Sequence, residues 1–165
     1  MSKTSKNLED AFAGESQASR KYTAFAKKAD QEGYAQIARL FRAAAEAESI
    51  HAQNHLKALG GVKSTLENLK TAIAGENYEV VTMYPPMIKD AEAEGDKKAR
   101  TSLNWAYEVE KVHEALYRYA LEHMDPNTPV QEFYVCPICG YTHAGKFEGN
   151  CPVCNTPAEK FIKVE

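Results

Sequence analysis

The chain has 165 residues, of which 44% are hydrophobic and 26% charged, and its net charge is −3. That balance describes a folded domain with a small appendage rather than a disordered or fibrous chain. It lacks the basic excess with which nucleic acids and anionic membranes are met, and no apolar run approaches the roughly 20 residues needed to span a bilayer. The opening Met1-Ser2-Lys3-Thr4-Ser5-Lys6 has no apolar stretch of the secretory kind. The expected setting is therefore cytoplasmic, with neither nucleic acid nor membrane as a partner.

From Asn7 to about Gln31, Leu8, Phe12, Glu15, Ser19, Tyr22 and Ala26 recur in steps of three and four, which predicts one face of a helix. Gly33 interrupts it. A second helix is predicted from about Ala35 to Leu59, with Ile37, Phe41, Ala44, Glu48, His51 and His55 on one stripe and Gly60-Gly61 as its stop. Ser64 or Thr65 can cap a third helix, with Glu67 in its first turn. Its inner stripe holds Leu66, Leu69, Ile73, Glu76, Glu79 or Val80, and Met83-Tyr84. Pro85-Pro86 should kink this helix, because proline removes an amide donor and crowds the preceding turn. Glu94-Gly95 should end it.

The fourth helix is predicted over about Lys97 to His123, with Leu103, Ala106, Glu110, His113, Tyr117 and Ala120 inward. Trp105, Val109, Val112, Leu116 and Tyr119 form a second apolar stripe, which predicts further packing, against a partner chain. Met124 to Gln131, with Asp125-Pro126-Asn127-Thr128-Pro129, reads as a linker. Phe133-Tyr134-Val135 is predicted as a short strand and Lys160 to Val164 as a closing strand. Between them lie Cys136-x-x-Cys139 and Cys151-x-x-Cys154, a four-thiolate tetrahedral pattern that suits zinc or iron better than two disulfides in a cytosolic chain. Tyr134, Tyr141, Phe147 and Phe161 are expected to form this module's aromatic core.

The helical part is a repeat. Glu48 and Glu110, His51 and His113, Tyr22 and Tyr84, and Gly33 and Gly95 are each 62 positions apart, whereas Glu15 and Glu76 are 61 apart. The third helix thus holds one extra residue after Glu76, which a π-bulge would absorb. Glu79 lies in the same interval, where the first copy has Ala18.

Glu48-x-x-His51 and Glu110-x-x-His113 each set a carboxylate and an imidazole on one helical face. A glutamate from each of two helices plus Glu-x-x-His from each of two others is the ligand pattern of a di-iron carboxylate bundle. Carboxylates brought together in an apolar interior are too costly without cations among them, and this donor set suits iron or manganese. Tyr22 and Tyr84 lie on the same faces, as core filling or as hydroxyl donors to ligand carboxylates. His55 and Tyr117 occupy equivalent positions nearer the bundle end.

In this combination the chain resembles the rubrerythrins over nearly its whole length. The matching stretches are Ala13-Gly14-Glu15-Ser16-Gln17, Glu48-x-x-His51, Gly75-Glu76-x-x-Glu79, Met83-Tyr84-Pro85, Glu110-x-x-His113-Glu114 and the two cysteine knuckles. The resemblance implies a mainly α fold: a ferritin-like four-helix bundle over 1–124, a linker over 125–132 and a rubredoxin-like Fe(SCys)4 module over 133–165, held by Cys136, Cys139, Cys151 and Cys154. It implies Glu48 and Glu110 as bridging ligands to two irons. Glu15, Glu76 and His113 would be terminal ligands, together with either His51 or Glu79, between which one iron shifts with redox state. The implied activity is reduction of hydrogen peroxide to water in oxidative-stress protection, with an iron-oxidising ferroxidase as the alternative. The implied electron donor is rubredoxin or an NAD(P)H-dependent reductase. No Gly-rich dinucleotide motif accompanies it, so the chain itself should not bind NAD(P)H.

In a ferritin-like bundle the second and third helices run parallel, so their connection must cross the bundle's length. The stretch Gly60 to Thr65 spans at most about 20 Å when extended, against the roughly 30 Å required. A helix-swapped homodimer, with each di-iron site shared between chains, is the expected solution.

Overall fold

The computed structural model describes residues 2–165. The chain divides into two compact units, Met1–Lys63 and Ser64–Glu165. The first unit is a helical hairpin of α1 (Lys3–Gln31) and α2 (Ala35–Ala58). Helix α1 begins four residues earlier than the apolar pattern predicts. The Ser2 hydroxyl accepts from the Ser5 amide and so caps a first turn that has no apolar face of its own. Gly33 at φ +83° and Gly60 at φ +67° take the left-handed conformation that ends each helix, as predicted.

The seam of this hairpin is made of small side chains: Ser19, Ala26 and Ala29 from α1 and Ala38, Ala45 and Ala52 from α2 are its buried residues. Small residues let the backbones approach, and the Ser19 hydroxyl donates to the Ala45 carbonyl at 2.9 Å. The ligand-bearing stripe of α2 is not this seam: Ile37 is 47% exposed, and the Glu48 and His51 side chains keep 22% and 54% of their surface.

In the second unit, Ser64 caps α3 (Thr65–Tyr78) in a capping box with Glu67. The third helix expected from the sequence is three segments, interrupted where the extra residue calls for a π-bulge. A π-helical stretch, Glu79–Met83, separates α3 from α4 (Tyr84–Ala93), and the Tyr84 amide reaches back to the Glu79 carbonyl. This is where the repeat predicts its extra residue. Pro85 and Pro86 fall in the first turn of α4, where amides have no intrahelical partner to lose. Asp96 then caps α5 (Lys97–Glu122) by accepting from the Lys98 and Ala99 amides.

The C-terminal module is a three-stranded antiparallel sheet in the order β2-β1-β3, with β1 Phe133–Val135, β2 Thr142–Ala144 and β3 Ile162–Val164. Strand β2 was not expected from the sequence: its three residues are too few to show a period. It pairs Phe133 with Ala144, Tyr134 with His143 and Val135 with Thr142. The mainly α fold with a small β-rich C-terminal module is as the sequence implies. Tyr134 is not in the aromatic core, because its hydroxyl turns to the Glu132 carboxylate at 3.0 Å. His143 takes that place: Phe147 stacks on Phe161 at 4.3 Å and meets His143 at 5.0 Å and Tyr141 at 5.9 Å. Among the described residues no helix is long and apolar enough to cross a membrane.

Candidate metal centres

Three groups of metal-ligating side chains converge among the described residues, each with one donor atom per residue within 4.8 Å of the others. The first, in the N-terminal hairpin, is Glu15 from α1 with Glu48 and His51 from α2. Three-residue spacing puts the last two on one face, and His51 Nδ1 lies 2.9 Å from Glu48 Oε2. Tyr22, two turns beyond Glu15, sits in a ring cluster with Phe25 and Phe41, at 6.2 Å from each.

The second group is Glu76 from α3 with Glu110 and His113 from α5. His113 Nδ1 lies 2.7 Å from Glu110 Oε2. Burial and the adjacent Glu110 carboxylate, with Glu79 and Glu114 adding to it, push Glu76 up to about 7. Burial and Glu110 also raise Glu79, against the opposing influence of His113. Burial, then Glu79, Glu110 and Glu76, raise the Tyr84 phenol, which places that ring among the carboxylates. Crowded carboxylates whose negative forms are disfavoured, with an imidazole beside them, are a donor set suited to a cation. The residues fit iron. Each unit alone supplies one such trio.

The third group is Cys136, Cys139, Cys151 and Cys154. Two Sγ–Sγ separations, Cys136 to Cys154 and Cys139 to Cys151, are 3.5 Å. A tetrahedron of metal–sulfur bonds near 2.3 Å has edges of about 3.8 Å, whereas a disulfide needs about 2.05 Å. All four cysteines are free thiols. Burial alone would raise Cys136, but the Cys139 and Ile138 amides and neighbouring thiols outweigh it and bring this thiol down to about 7, ready to bind metal as thiolate. Cys136 and Cys151 are buried while Cys139 and Cys154 are half-buried, so the site has an inner and an outer side.

One residue at these centres was missed. Thr142, at the start of β2, places its hydroxyl 2.9 Å from His113 Nε2. Nothing in the spacing around Thr142 signals this, since it depends on how the C-terminal module seats on α5.

Two carboxylate–imidazole trios on helices and one four-thiolate site define a di-iron carboxylate protein with an attached rubredoxin-like centre. Residues 6–121 match the family model described as Rubrerythrin, and residues 134–162 match the one described as Rubrerythrin, rubredoxin-like domain. The chain belongs to the rubrerythrin family. It is similar to nigerythrin of Nitratidesulfovibrio vulgaris, with 39% identity over 96% of this chain and 85% of that protein. It is also similar to rubrerythrin of Porphyromonas gingivalis, with 38% identity over 97% of this chain and 89% of its relative. Among solved structures, the fully reduced, all-ferrous state of nigerythrin superposes with a TM-score of 0.60 at 38% identity, covering 99% of this chain and 88% of the other. The cofactors of this chain are accordingly a di-iron site with Glu and His ligands and a four-cysteine rubredoxin-like site.

Proposed function

We propose that the chain is a peroxidase of the rubrerythrin type, reducing hydrogen peroxide to water in a cytoplasmic defence against oxidants. The observation that carries this reading is the presence, on one chain, of both carboxylate–imidazole trios and a separate four-thiolate site. When bound, the iron pair supplies two electrons to the O–O bond and the thiolate-held iron returns them one at a time. Its family membership makes the chain an oxidoreductase, and the all-ferrous state of a solved relative supports iron as the working metal.

The protein's own groups do the rest. Glu48 and Glu110 would hold both metals, and Glu15, Glu76 and His113 would each hold one. His51 and Glu79 would alternate at one of them, neutral imidazole suiting the lower charge and carboxylate the higher. Glu79 suits this role because it lies at the start of the wide π turn, where the extra residue loosens the α-helical register. Tyr84, among carboxylates, keeps its phenolic proton and so acts as a donor. Tyr22 is its counterpart on α1.

Each di-iron centre combines the first unit of one chain with the second unit of another, in a swapped homodimer. The exposed Ile37 and Leu40 on α2 support this, as does the short Gly60–Ser64 connection. Gly14 and Gly75, each just before a ligand glutamate, add support. A Cβ at either would meet nothing within 4 Å, yet mid-helix glycine costs about 1 kcal/mol relative to alanine. Close approach by a partner chain accounts for the glycines. The domains are the bundle 1–124, the linker 125–132 and the rubredoxin-like module 133–165. Electrons come from rubredoxin or an NAD(P)H-dependent reductase.

Metal analysis should find about three irons per chain, two in the carboxylate site and one in thiolate, with the red absorption of the latter. In stopped flow, the fully reduced protein should be oxidised faster by hydrogen peroxide than by dioxygen. The reverse order would replace this reading with a ferroxidase.

A further inference from the structure

We propose that Thr142 is a positioning residue for the di-iron centre: its hydroxyl fixes the tautomer of His113, so that the Nδ1 lone pair is the one offered to metal. This rests on the reading of His113 as an iron ligand, and deepens it.

A threonine hydroxyl has one hydrogen and two lone pairs. Thr142 Oγ1 lies 3.1 Å from the Gly140 carbonyl, which can only accept, so the hydroxyl hydrogen is directed there. Toward His113 Nε2, 2.9 Å away, the same oxygen is left with a lone pair. Nε2 must therefore carry the imidazole hydrogen. In the neutral ring Nδ1 is then bare, and it is Nδ1 that stands 2.7 Å from Glu110 Oε2 in the trio. A bare nitrogen lone pair and a carboxylate oxygen at that distance repel unless they share a cation. Thr142 thus selects the metal-binding form before metal arrives.

The hydroxyl can do this because its own position is held through the first cysteine knuckle. Thr142 opens β2 opposite Val135, the residue before Cys136. The Cys136 amide donates to the Tyr141 carbonyl at 2.9 Å, and the Gly140 amide donates to the Cys136 carbonyl at 3.0 Å. Gly140, at φ +83°, presents its bare face to Val109, whose Cγ1 would lie 4.0 Å from an added Cβ. Val109 is the one buried residue of α5 and lies four residues before His113, one turn along the same face. The module seats on α5 through Val109 and reaches His113 from the adjacent turn. An imidazole ligand steadied by a hydroxyl that depends on a cysteine knuckle ties the seating of one metal site to the affinity of the other.

The test uses the full chain with its four-cysteine site loaded, titrated anaerobically with Fe(II) after removal of metal from the helical site. Thr142→Val keeps the shape but removes the acceptor, and should weaken Fe(II) binding about 10- to 100-fold, the usual effect of losing a partner behind a ligand histidine. Thr142→Ser keeps the hydroxyl and should restore binding close to that of the native chain. His113→Ala should weaken binding more than either. If His113→Ala binds as the native chain does, the reading of His113 as ligand fails. If only His113→Ala is impaired and Thr142→Val is native, the role of Thr142 is overturned alone. Retention of the red thiolate–iron absorption shows that the module of each variant is intact. Should Thr142→Val lose it, the native chain decides. With Zn(II) in the helical site, ring 15N spectra should place metal on Nδ1 and hydrogen on Nε2 of His113, and the opposite placement overturns the proposal.

Discussion

Glu76 and Glu79 stand a turn apart, and their surroundings disfavour the charge of both. For Glu76 the consequence is worked out from its raised value of about 7, against an ordinary 4.5. Between those two values the folded, metal-free protein binds a proton that the unfolded chain has released. Stability from this group is complete below pH 4.5 and is lost as the pH rises through 7. Metal-free protein should therefore melt lower at pH 8 than at pH 5, by on the order of 3 °C for each kcal/mol lost. Glu76→Gln should flatten that slope in thermal scans, and Fe(II) loading at pH 6 should release a proton detectable with an indicator dye. Glu79→Ala asks a separate question. It should bind iron at close to native stoichiometry, while the difference in iron coordination between oxidised and reduced protein, read by X-ray absorption, should vanish.

At the scale of elements, the π segment Glu79–Met83 was legible because the repeat counts residues independently of any propensity. Glu15 and Glu76 are 61 positions apart where every other landmark pair is 62 apart, and a helix can absorb one residue only by widening a turn. The caps at Ser64 and Gly60 were legible for similarly local reasons. The α2 side of the hairpin seam was not. Ala38, Ala45 and Ala52 are too small to stand out in a pattern in which Ile37 and Phe41 are louder, whereas Ser19 and Ala26 do lie on the face predicted for α1. Ala38 has no exposed surface, and Ala38→Leu should force the helices apart and cost about 1–3 kcal/mol in denaturant unfolding. Strand β2 and the exchange of Tyr134 for His143 in the aromatic core were equally hidden. Three-residue strands carry no readable period, and ring packing in so small a module follows the fold of the knuckles. The converging donors, by contrast, lay in plain view as Glu-x-x-His and Cys-x-x-Cys, because ligand spacing on a helix or knuckle is local. The contact of Thr142 with His113, 29 positions apart, is the opposite case.

For the whole molecule the decisive feature is the short turn from Gly60 to Ser64. At Gly61 an added Cβ would fall 2.3 Å from Leu56 Cδ1, so a larger residue there requires that side chain to move. Lengthening the connection by about ten flexible residues adds roughly 30 Å of reach, enough for the two units of one chain to close on each other. That insertion should shift the protein from dimer toward monomer in analytical ultracentrifugation without loss of iron, and a native chain already monomeric with full iron content would rule out the swap.

In the swapped dimer proposed above, a turn too short to let a chain close on itself would also make one gene's product into two interdependent halves of a centre. A chain bearing Glu48→Ala spoils only the first trio it contributes, and a chain bearing Glu110→Ala spoils only the second. Each variant alone should be inactive. Mixed as a heterodimer, however, both lesions fall in one centre and the other centre is built wholly from intact halves. Two dead alleles expressed together should thus yield dimers with one working site out of two.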